Sequence, residues 1–372
     1  MQQATDVDRA KVKPGRISEW ITSTVGRVFI SLFVPVLTFV VLWQGFVFLR
    51  DSNAPKLIIV LVAIIWGVGG AGFLYVVSNG LVEQLPSQGR RWLLPYVFVG
   101  PAVAILIWYL ALPTVRTFWI SLQDNNGAGL VGLQNYLAIF TNRAMFIAFR
   151  NNILWIVFGA SLSVIFGLLV AVLADRSRFE TFAKSMIFMP MAISMVGAAI
   201  IWKFIYEANP NLGLLNAIWT SWFGGEAQAW ISLLQPWNNF FLIVVLIWLQ
   251  TGFAMVIFSA AIKGIPGEIM EAARVDGANE FQVFFQIMIP YIMGTIITVT
   301  TTIVIFTLKI FDVVWVMTGG QYDTQVIATQ FYREYFTSRN FGYGSAIAII
   351  LLIAVIPVMI YNLREFGERE AF

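Results

Sequence analysis

The chain contains 372 residues, of which 59% are hydrophobic and 12% charged, with a formal net charge of +3 and neither cysteine nor histidine. Because soluble domains carry about a quarter charged residues, this composition excludes an ordinary soluble protein and predicts one surrounded by lipid. Without Cys and His, the sequence also excludes disulfides, zinc or haem sites built from those side chains, and a His-dependent triad. The small net charge does not indicate a nucleic-acid partner.

Eight apolar runs are long enough to cross a membrane, since a helix needs roughly 20 apolar residues to span a hydrocarbon core of about 30 Å. Five of them contain no charged residue, and the other three are shorter or contain Lys203. In chain order the runs are Val28 to Leu49, Leu57 to Val77, Leu93 to Leu112, Ile153 to Leu173, Met186 to Tyr206, Phe240 to Ile262, Tyr291 to Leu308 and Gly344 to Tyr361. The sequence therefore predicts an all-α, polytopic membrane protein with eight transmembrane helices.

Positive charge is divided unevenly between the loops on the two sides of these spans. The loops on the side of the N-terminus hold 14 Lys and Arg in 93 residues, whereas the opposite loops hold 8 in 115 residues. By the positive-inside rule, both termini are predicted to be cytoplasmic. The first span follows a charged tail and lacks a small-residue cleavage site, so we expect a retained anchor and not a signal peptide.

The spans contain few groups that could energise transport or perform chemistry. None contains Asp or Glu, which normally bind a coupling ion inside the bilayer, and Lys203 lies where its stem can snorkel to the interface. Lys309 and Asp312, just beyond the seventh span, are expected to pair on a helix face, with a direct role in transport as the alternative. The sequence contains no Gly-Lys dipeptide, which excludes a P-loop. An ion-coupled secondary transporter and an intramembrane enzyme are therefore remote alternatives.

Two spans are rich in small or hydroxylated side chains. The second contains Gly67, Gly69, Gly70 and Gly72, which let a neighbouring helix approach closely. The seventh contains six threonines. Their hydroxyls either bond back to the carbonyl one turn earlier or line a pathway for a polyhydroxylated solute, and the sequence leaves both interpretations open.

The most informative segment is the loop from Lys263 to Pro290. Ile265 to Gly267 interrupt the preceding span, Glu268 to Arg274 favour a short helix, and Gly277 can end that helix in a left-handed conformation. A compact amphipathic helix between two spans is suited to docking in a groove on a cytoplasmic partner. An unspecific connector is the alternative.

This loop contains Glu-Ala-Ala, three residues, Gly, nine residues and Ile-x-Ile-Pro, a spacing that runs from Glu271 to Pro290. With Ile289 in place of the usual Leu, it resembles the signature of the membrane subunits of binding-protein-dependent ABC importers. The resemblance covers approximately residues 93 to 366. The further elements that carry it are Gly132 to Tyr136, Asn151 with Asn152, Phe311 with Asp312, and Thr318 to Gly320. Phe188 to Tyr206 and Trp237 to Ser259 are most similar to α-glucoside and glucosylglycerol-type permeases.

The resemblance implies a type I importer fold. Residues 93–366 would form the six-helix permease core with its coupling loop at 263–290, and residues 28–92 two additional helices, as in the larger membrane subunit of maltose importers. Residues 1–27 and 367–372 would be cytoplasmic tails. The implied partners are a second related permease, two ATPase subunits and an extracytoplasmic sugar-binding protein, assembled in the plasma membrane of a prokaryote. ATP and Mg would bind to the ATPase, so this chain would hold no cofactor or metal and would be no enzyme.

The resemblance also assigns residues to two sites. The ATPase-coupling residues would be Glu271, Ala272, Ala273, Asp276 and Gly277. In that assignment the alanine pair packs in the partner's groove, while the glutamate pairs with a basic group or, alternatively, caps its own helix. The substrate-binding residues would be Trp248, Leu249, Gln250, Phe253 and Thr307, with Gln in a place where the maltose-type subunit has Gly.

These substrate-binding side chains suit a sugar. Aromatic rings can stack on its C–H faces, while amides and hydroxyls both donate and accept hydrogen bonds. Helix packing is the alternative for Trp248 and Phe253. The predicted function is import of an α-glucoside, a disaccharide or a glucosylglycerol-like solute. Another neutral polar solute, such as a polyol, a glycerol phosphodiester or a compatible solute, is the runner-up.

Overall fold

The computed structural model describes residues 24–83 and 87–369, and the regular secondary structure in these ranges is helical. The all-α prediction is thus confirmed for the described residues. Most of the predicted N-terminal tail and half of the C-terminal one, residues 370–372, lie outside them. The chain divides into two compact units, residues 1–113 and 114–372.

The first unit consists of long apolar helices. They are α1 (Thr24–Asp51), α2 (Lys56–Glu83) and α3 (Ser87–Leu106), followed by a π-helix (Ile107–Ala111) and α4 (Leu112–Ser121), which continues into the second unit. At Gly45 a Cβ atom would lie 2.6 Å from the ring of Trp66, so α1 and α2 are in close contact there. A Cβ atom at Gly70 would lie 3.4 Å from the side chain of Leu42 in α1, whereas Gly67, Gly69 and Gly72 have no such neighbour within 4 Å in this unit. Of the four glycines in this stretch, Gly70 thus faces α1.

The second unit contains the remaining helices, several of which are interrupted by short π- or 3-10 turns. They are α5 (Gln134–Thr141), α6 (Arg143–Leu154), a π-helix (Trp155–Ala160), α7 (Ser161–Asp175), α8 (Glu180–Phe188), a 3-10 helix (Met189–Ala192), α9 (Met195–Ile205), α10 (Leu214–Phe223), α11 (Asn238–Lys263), α12 (Gly267–Val275), α13 (Glu280–Gln282), a π-helix (Val283–Met288), α14 (Ile289–Tyr291), α15 (Met293–Leu308), α16 (Asp312–Thr318), α17 (Ile327–Tyr332), a π-helix (Arg333–Thr337) and α18 (Phe341–Arg369).

Among the described residues, five helices are long and apolar enough to cross a membrane, or up to seven if each of two bent helix pairs is one span. The first predicted span falls in α1, and some of its side chains are outside the described residues, so the number eight stays a prediction. The predicted span at 186–206 is broken, since its two helices meet at 102° between Ala192 and Met195. The predicted span at 291–308 coincides with α15, and a second bend of 70° lies at its start, between Tyr291 and Met293.

The first bend has local causes in the sequence. Pro190 has no N–H to continue an α-helix and lies in the 3-10 turn instead. The side chain of Ser194 then accepts a hydrogen bond from the N–H of Gly197 and caps the start of α9. The break therefore turns one predicted span into two helices that meet at an angle.

Helix α11 lies at the centre of the second unit and is packed closely against its neighbours. A Cβ atom at Gly167 of α7 would lie 2.4 Å from the Cβ of Ala254. A Cβ atom at Gly252 would lie 2.5 Å from the carbonyl oxygen of Ile187. Because these glycines remove side-chain bulk, the backbones of α7 and α8 approach α11 directly.

Candidate functional site

A cavity of about 320 Å³, here called the membrane cavity, lies beside the middle of α11. It is lined by Met191, Ile193, Met195, Leu249, Gln250, Phe253, Thr302 and Phe306. None of these lining residues is charged, so the cavity favours a neutral occupant over an ion.

Gln250 is the strongest polar group in this cavity. Only 9% of the residue is exposed, and its amide makes no hydrogen bond within the described part of the chain. Because Gln250 lines the cavity, its amide is available to a solute with hydroxyl groups, which could both donate to it and accept from it. The hydroxyl of Thr302 donates to the carbonyl of Thr298 at 2.8 Å, which leaves its oxygen free to accept a second bond.

The structure brings together three of the five predicted substrate-binding residues. Leu249, Gln250 and Phe253 line the membrane cavity. Trp248 instead lies on another face of α11, where its ring meets that of Trp202 edge to face at 5.8 Å and borders a separate cavity. Its position agrees with the alternative interpretation, in which Trp248 packs against a neighbouring helix and does not bind the substrate.

Thr307, the fifth predicted residue, is fully buried, and its hydroxyl donates to the carbonyl of Ile303 at 2.7 Å. The same bond to the preceding turn is formed by the hydroxyls of Thr298, Thr300, Thr301 and Thr302. Most threonine hydroxyls of this helix thus donate to carbonyl groups of the same helix. Of these threonines, only Thr302 lines the membrane cavity.

Sequence reasoning missed Met191 and Met195, which reach the cavity because the helix bends between them. It also missed Phe306, the neighbour of the residue that was predicted. The signal for the first two was Pro190 in the middle of an apolar run, since an internal Pro interrupts a helix.

Helix α12 forms close to its predicted position and ends as predicted. The N–H of Gly277 donates to the carbonyl of Arg274, and that of Ala278 to the carbonyl of Ala273, which together form a Schellman motif. Gly277 has φ of +85°, a conformation that glycine adopts without strain. The glycine of the signature therefore fixes the direction in which the chain leaves α12.

The predicted coupling residues differ in accessibility. Glu271, Ala272, Asp276 and Gly277 are exposed, whereas Ala273 is buried against this chain. The alanine pair therefore does not present one apolar surface to a partner, because the two residues point to different sides of α12. Exposed apolar surface is provided instead by Val275, of which 87% is accessible.

The carboxylate of Glu271 makes no ion pair or hydrogen bond in the described part of the chain. The residue lies in the interior of α12, and the N-cap position belongs to Pro266. The alternative role for this side chain, capping of its own helix, is thus not observed in the structure.

Asn135 and Asn151, from two of the sequence elements that carry the resemblance, act as internal braces. Asn135 donates from Nδ2 to the carbonyls of Ser121 and Gln123 at 2.8 and 2.7 Å. Asn151 donates to the carbonyls of Asp323 and Gln325 at 2.7 and 2.8 Å. These amides hold irregular backbone in place, a role that the sequence did not reveal.

The turn that Asn135 braces contains Asp124. Its Oδ1 accepts from the backbone N–H of Ala128 at 2.8 Å and that of Asn126 at 3.2 Å. Backbone donors, chiefly that of Ala128, lower the pKa of the Asp124 carboxyl group below its ordinary value. The aspartate is therefore ionised at neutral pH and organises the turn.

Of two expectations about lysines, the snorkelling of Lys203 stays a prediction and the pairing of Lys309 is wrong. Lys203 is exposed, and its Nζ donates to the carbonyl of Val316 at 3.4 Å. The expected pairing of Lys309 with Asp312 is wrong, since the described structure contains no ion pair between them. Helix α15 ends at Leu308 and α16 begins at Asp312, so the two residues do not share one helix face.

Comparison with known proteins places this arrangement in a family. The profile of the family described as binding-protein-dependent transport system inner membrane component matches residues 163–365. The chain belongs to this family. It is therefore a membrane component of a transport system, and the resemblance seen in the sequence is confirmed.

Relatives cover most of the chain. The osmoprotective compounds uptake permease protein GgtC of Synechocystis sp. is 51% identical over 278 residues, which are 74% of this chain and 99% of that protein. The α-glucoside transport system permease protein AglF of Rhizobium meliloti is 50% identical over 302 residues, 79% of this chain and 89% of that protein.

A solved structure supports the fold. A bacterial ABC transporter involved in the import of the acidic polysaccharide alginate contains a chain with a TM-score of 0.63 and 22% identity, covering 74% of this chain and 96% of that one. At this identity the likeness concerns the fold alone, which is that of an ABC importer permease.

Proposed function

We propose that the chain is the permease subunit through which an ATP-driven importer moves a neutral sugar-like solute. The observation that carries this proposal is the amide of Gln250, which lines a cavity without charged lining residues and makes no hydrogen bond within the described part of the chain. An apolar cavity with a small number of polar groups is typical of sites for small molecules.

The relatives narrow the class of solute. One is described as a permease for α-glucosides and another as a permease for osmoprotective compounds. A glucoside of a small polyol, such as glucosylglycerol, belongs to both descriptions. Phe253 and Phe306 supply apolar surface for the C–H face of the glucose ring, while Gln250 and Thr302 supply hydrogen bonds.

Coupling to ATP would occur at α12. Its exposed Glu271, Asp276 and Val275 form a small surface that combines negative charge with an apolar side chain. This surface would dock in a groove of a cytoplasmic ATPase subunit, which binds ATP and Mg. A second related permease would complete the pathway, an external binding protein would deliver the solute, and both termini of this chain would be cytoplasmic.

The test is to purify the tagged chain with its associated subunits and reconstitute the complex in nanodiscs. ATP hydrolysis is then measured with candidate binding proteins and with α-glucosides, trehalose, sucrose, glucosylglycerol or glycine betaine. Stimulation by a glucoside with its binding protein would support the proposal. Stimulation by glycine betaine alone would contradict the sugar assignment, and uptake by this chain alone without ATP would contradict the importer.

A further inference from the structure

A group of charged and polar side chains joins three helices, α7, α8 and α11, near the segment that connects α11 to α12. This group, here called the ion cluster, consists of Asp175, Glu180, Lys184, Ser259 and Lys263. Asp175 ends α7, Glu180 begins α8 and Lys263 ends α11. Only three residues separate α11 from α12, so the cluster lies next to the start of the coupling helix.

Lys184 is the centre of the cluster. Its ammonium group contacts the carboxylates of Asp175 and Glu180, the latter at 2.6 Å, and also donates to the hydroxyl of Ser259. A lysine has three N–H donors, and each has a partner here. The hydroxyl of Ser259 in turn donates to Asp175 Oδ1 at 2.8 Å, so α7, α8 and α11 are tied through one closed set of bonds.

A second group connects the end of α7 to α12 itself. Glu280 accepts from Arg176 at 2.6 Å and from Arg274 at 3.2 Å, and we call these three residues the arginine triad. Arg274 is in the last turn of α12, and Arg176 directly follows Asp175 of the ion cluster. The two groups are therefore linked through the backbone between Asp175 and Arg176, which connects the coupling helix to α8 and α11.

Stability alone is a weak explanation for these contacts. The side chains of Lys184 and Asp175 are 19% and 12% exposed, and Asp175 Oδ2 is buried with no hydrogen-bond partner in the described structure. Removing charges from water is costly, and well-packed apolar residues often serve stability as well or better. The free-energy cost of burying these charges is better explained if the bonds serve to fix the positions of the helices relative to one another.

Helix α11 and the 3-10 helix that follows α8 are walls of the membrane cavity. Met191 follows Lys184 by seven residues, and Phe253 precedes Ser259 by six, which corresponds to about 10 Å along each helix at 1.5 Å per residue. At the level of the cavity, Gly252, the neighbour of Phe253, lets α11 contact the backbone of α8 at Ile187. A displacement at the cluster is thus imposed on both walls together.

We propose that the ion cluster and the arginine triad are positioning groups that transmit displacement of the coupling helix to the walls of the membrane cavity. This inference rests on the proposed function, since it requires that α12 be moved by an ATPase. It adds residues on α7, α8 and α11 to the coupling machinery, beyond the loop that contains the signature.

The central test compares Lys184→Met with wild type in the reconstituted complex. The readout is solute transported per ATP hydrolysed, measured with whichever of trehalose, maltose or glucosylglycerol stimulates the wild-type complex. We expect this ratio to fall about fivefold or more, the scale of a typical coupling between sites, while the complex still assembles and hydrolyses ATP. Lys309→Met is the matched control, because Lys309 is exposed and makes no contact with either group.

Two further variants separate positioning from folding. Asp175→Asn combined with Lys184→Met removes both buried charges, so that neither is left uncompensated, and we expect it to assemble normally and remain uncoupled. Glu280→Gln alters the exposed arginine triad and should lower the same ratio. If the contacts form one continuous path, Lys184→Met combined with Glu280→Gln should be no worse than the stronger single variant.

The outcomes are distinct. Wild-type ratios in the double charge variant would overturn the inference while leaving the proposed function intact. Additive losses in the Lys184 and Glu280 pair would also overturn it, since they would indicate two independent local effects. If no sugar stimulates even the wild-type complex, the proposed function itself fails.

Discussion

Oδ1 of Asn152 accepts a hydrogen bond from the backbone N–H of Ile327 at 2.9 Å, although 175 positions separate the two residues. The amide nitrogen of Asn152 donates to the carbonyl of Leu308 at 3.2 Å. One side chain on α6 thus satisfies the end of α15 and the start of α17. An amide that both donates and accepts is required for this pair of bonds.

We expect Asn152→Ala to destabilise the protein. The substitution leaves a buried N–H and a buried carbonyl without partners, each costing about 1–3 kcal/mol. The midpoint of thermal unfolding in detergent should fall clearly below that of wild type. Asn211→Ala is the control, because Asn211 is exposed. Equal melting of the two variants would contradict a bracing role.

Gly277→Ala should weaken coupling through backbone strain. No atom lies within 4 Å of a Cβ built at this position, so the cost comes from φ of +85° and not from crowding. We expect ATP hydrolysis to continue with reduced solute transport per ATP. Gly267→Ala, also on α12 and equally uncrowded but without a positive φ, should behave like wild type. Normal transport by the Gly277 variant would remove this glycine from the coupling role.

Substitutions on the two faces of α11 should separate solute binding from packing. Gln250→Leu removes the unpartnered amide and should raise the solute concentration for half-maximal uptake about 2- to 10-fold, the scale of one hydrogen bond. Trp248→Phe should change the melting temperature more than the concentration dependence, since Trp248 packs on Trp202. The reverse pattern would place the solute on the other face.

Gly252→Ala should disturb the contact between α8 and α11. The added Cβ would lie 2.5 Å from Ile187 O and 2.9 Å from the Cα of Phe188, both backbone atoms that cannot rotate away. We expect lower yield of assembled complex and a lower melting temperature. Gly80→Ala adds a methyl group to a helix where nothing lies within 4 Å. A tolerated Gly252 variant would show that the helices separate easily.

Deleting residues 1–92 should spare the permease core. The family profile begins at residue 163, and the second compact unit at residue 114. The shortened chain is expected to copurify with the same ATPase as the full chain. Failure to assemble, with normal insertion in the membrane, would instead assign the first helices a role in the complex.

Composition and spacing were sufficient to predict a helical membrane protein and the loop that identifies its family. Hydropathy could not predict the bend between Ala192 and Met195, because the mean hydropathy of a whole apolar run does not register one proline. Residue type alone also could not distinguish Trp248 from Gln250, two residues apart but on different faces of α11. Their roles depend on which neighbouring helix each face meets, and that is set by tertiary packing.

The placement of Gln250 and Ser259 on one helix has an evolutionary consequence. At 3.6 residues per turn, nine residues amount to two and a half turns, so these side chains project from opposite faces of α11. Under the proposed coupling, substitutions in the lining of the cavity would change the solute without disturbing the contacts of the ion cluster. Such independence would allow relatives with the same coupling to ATP to import different solutes.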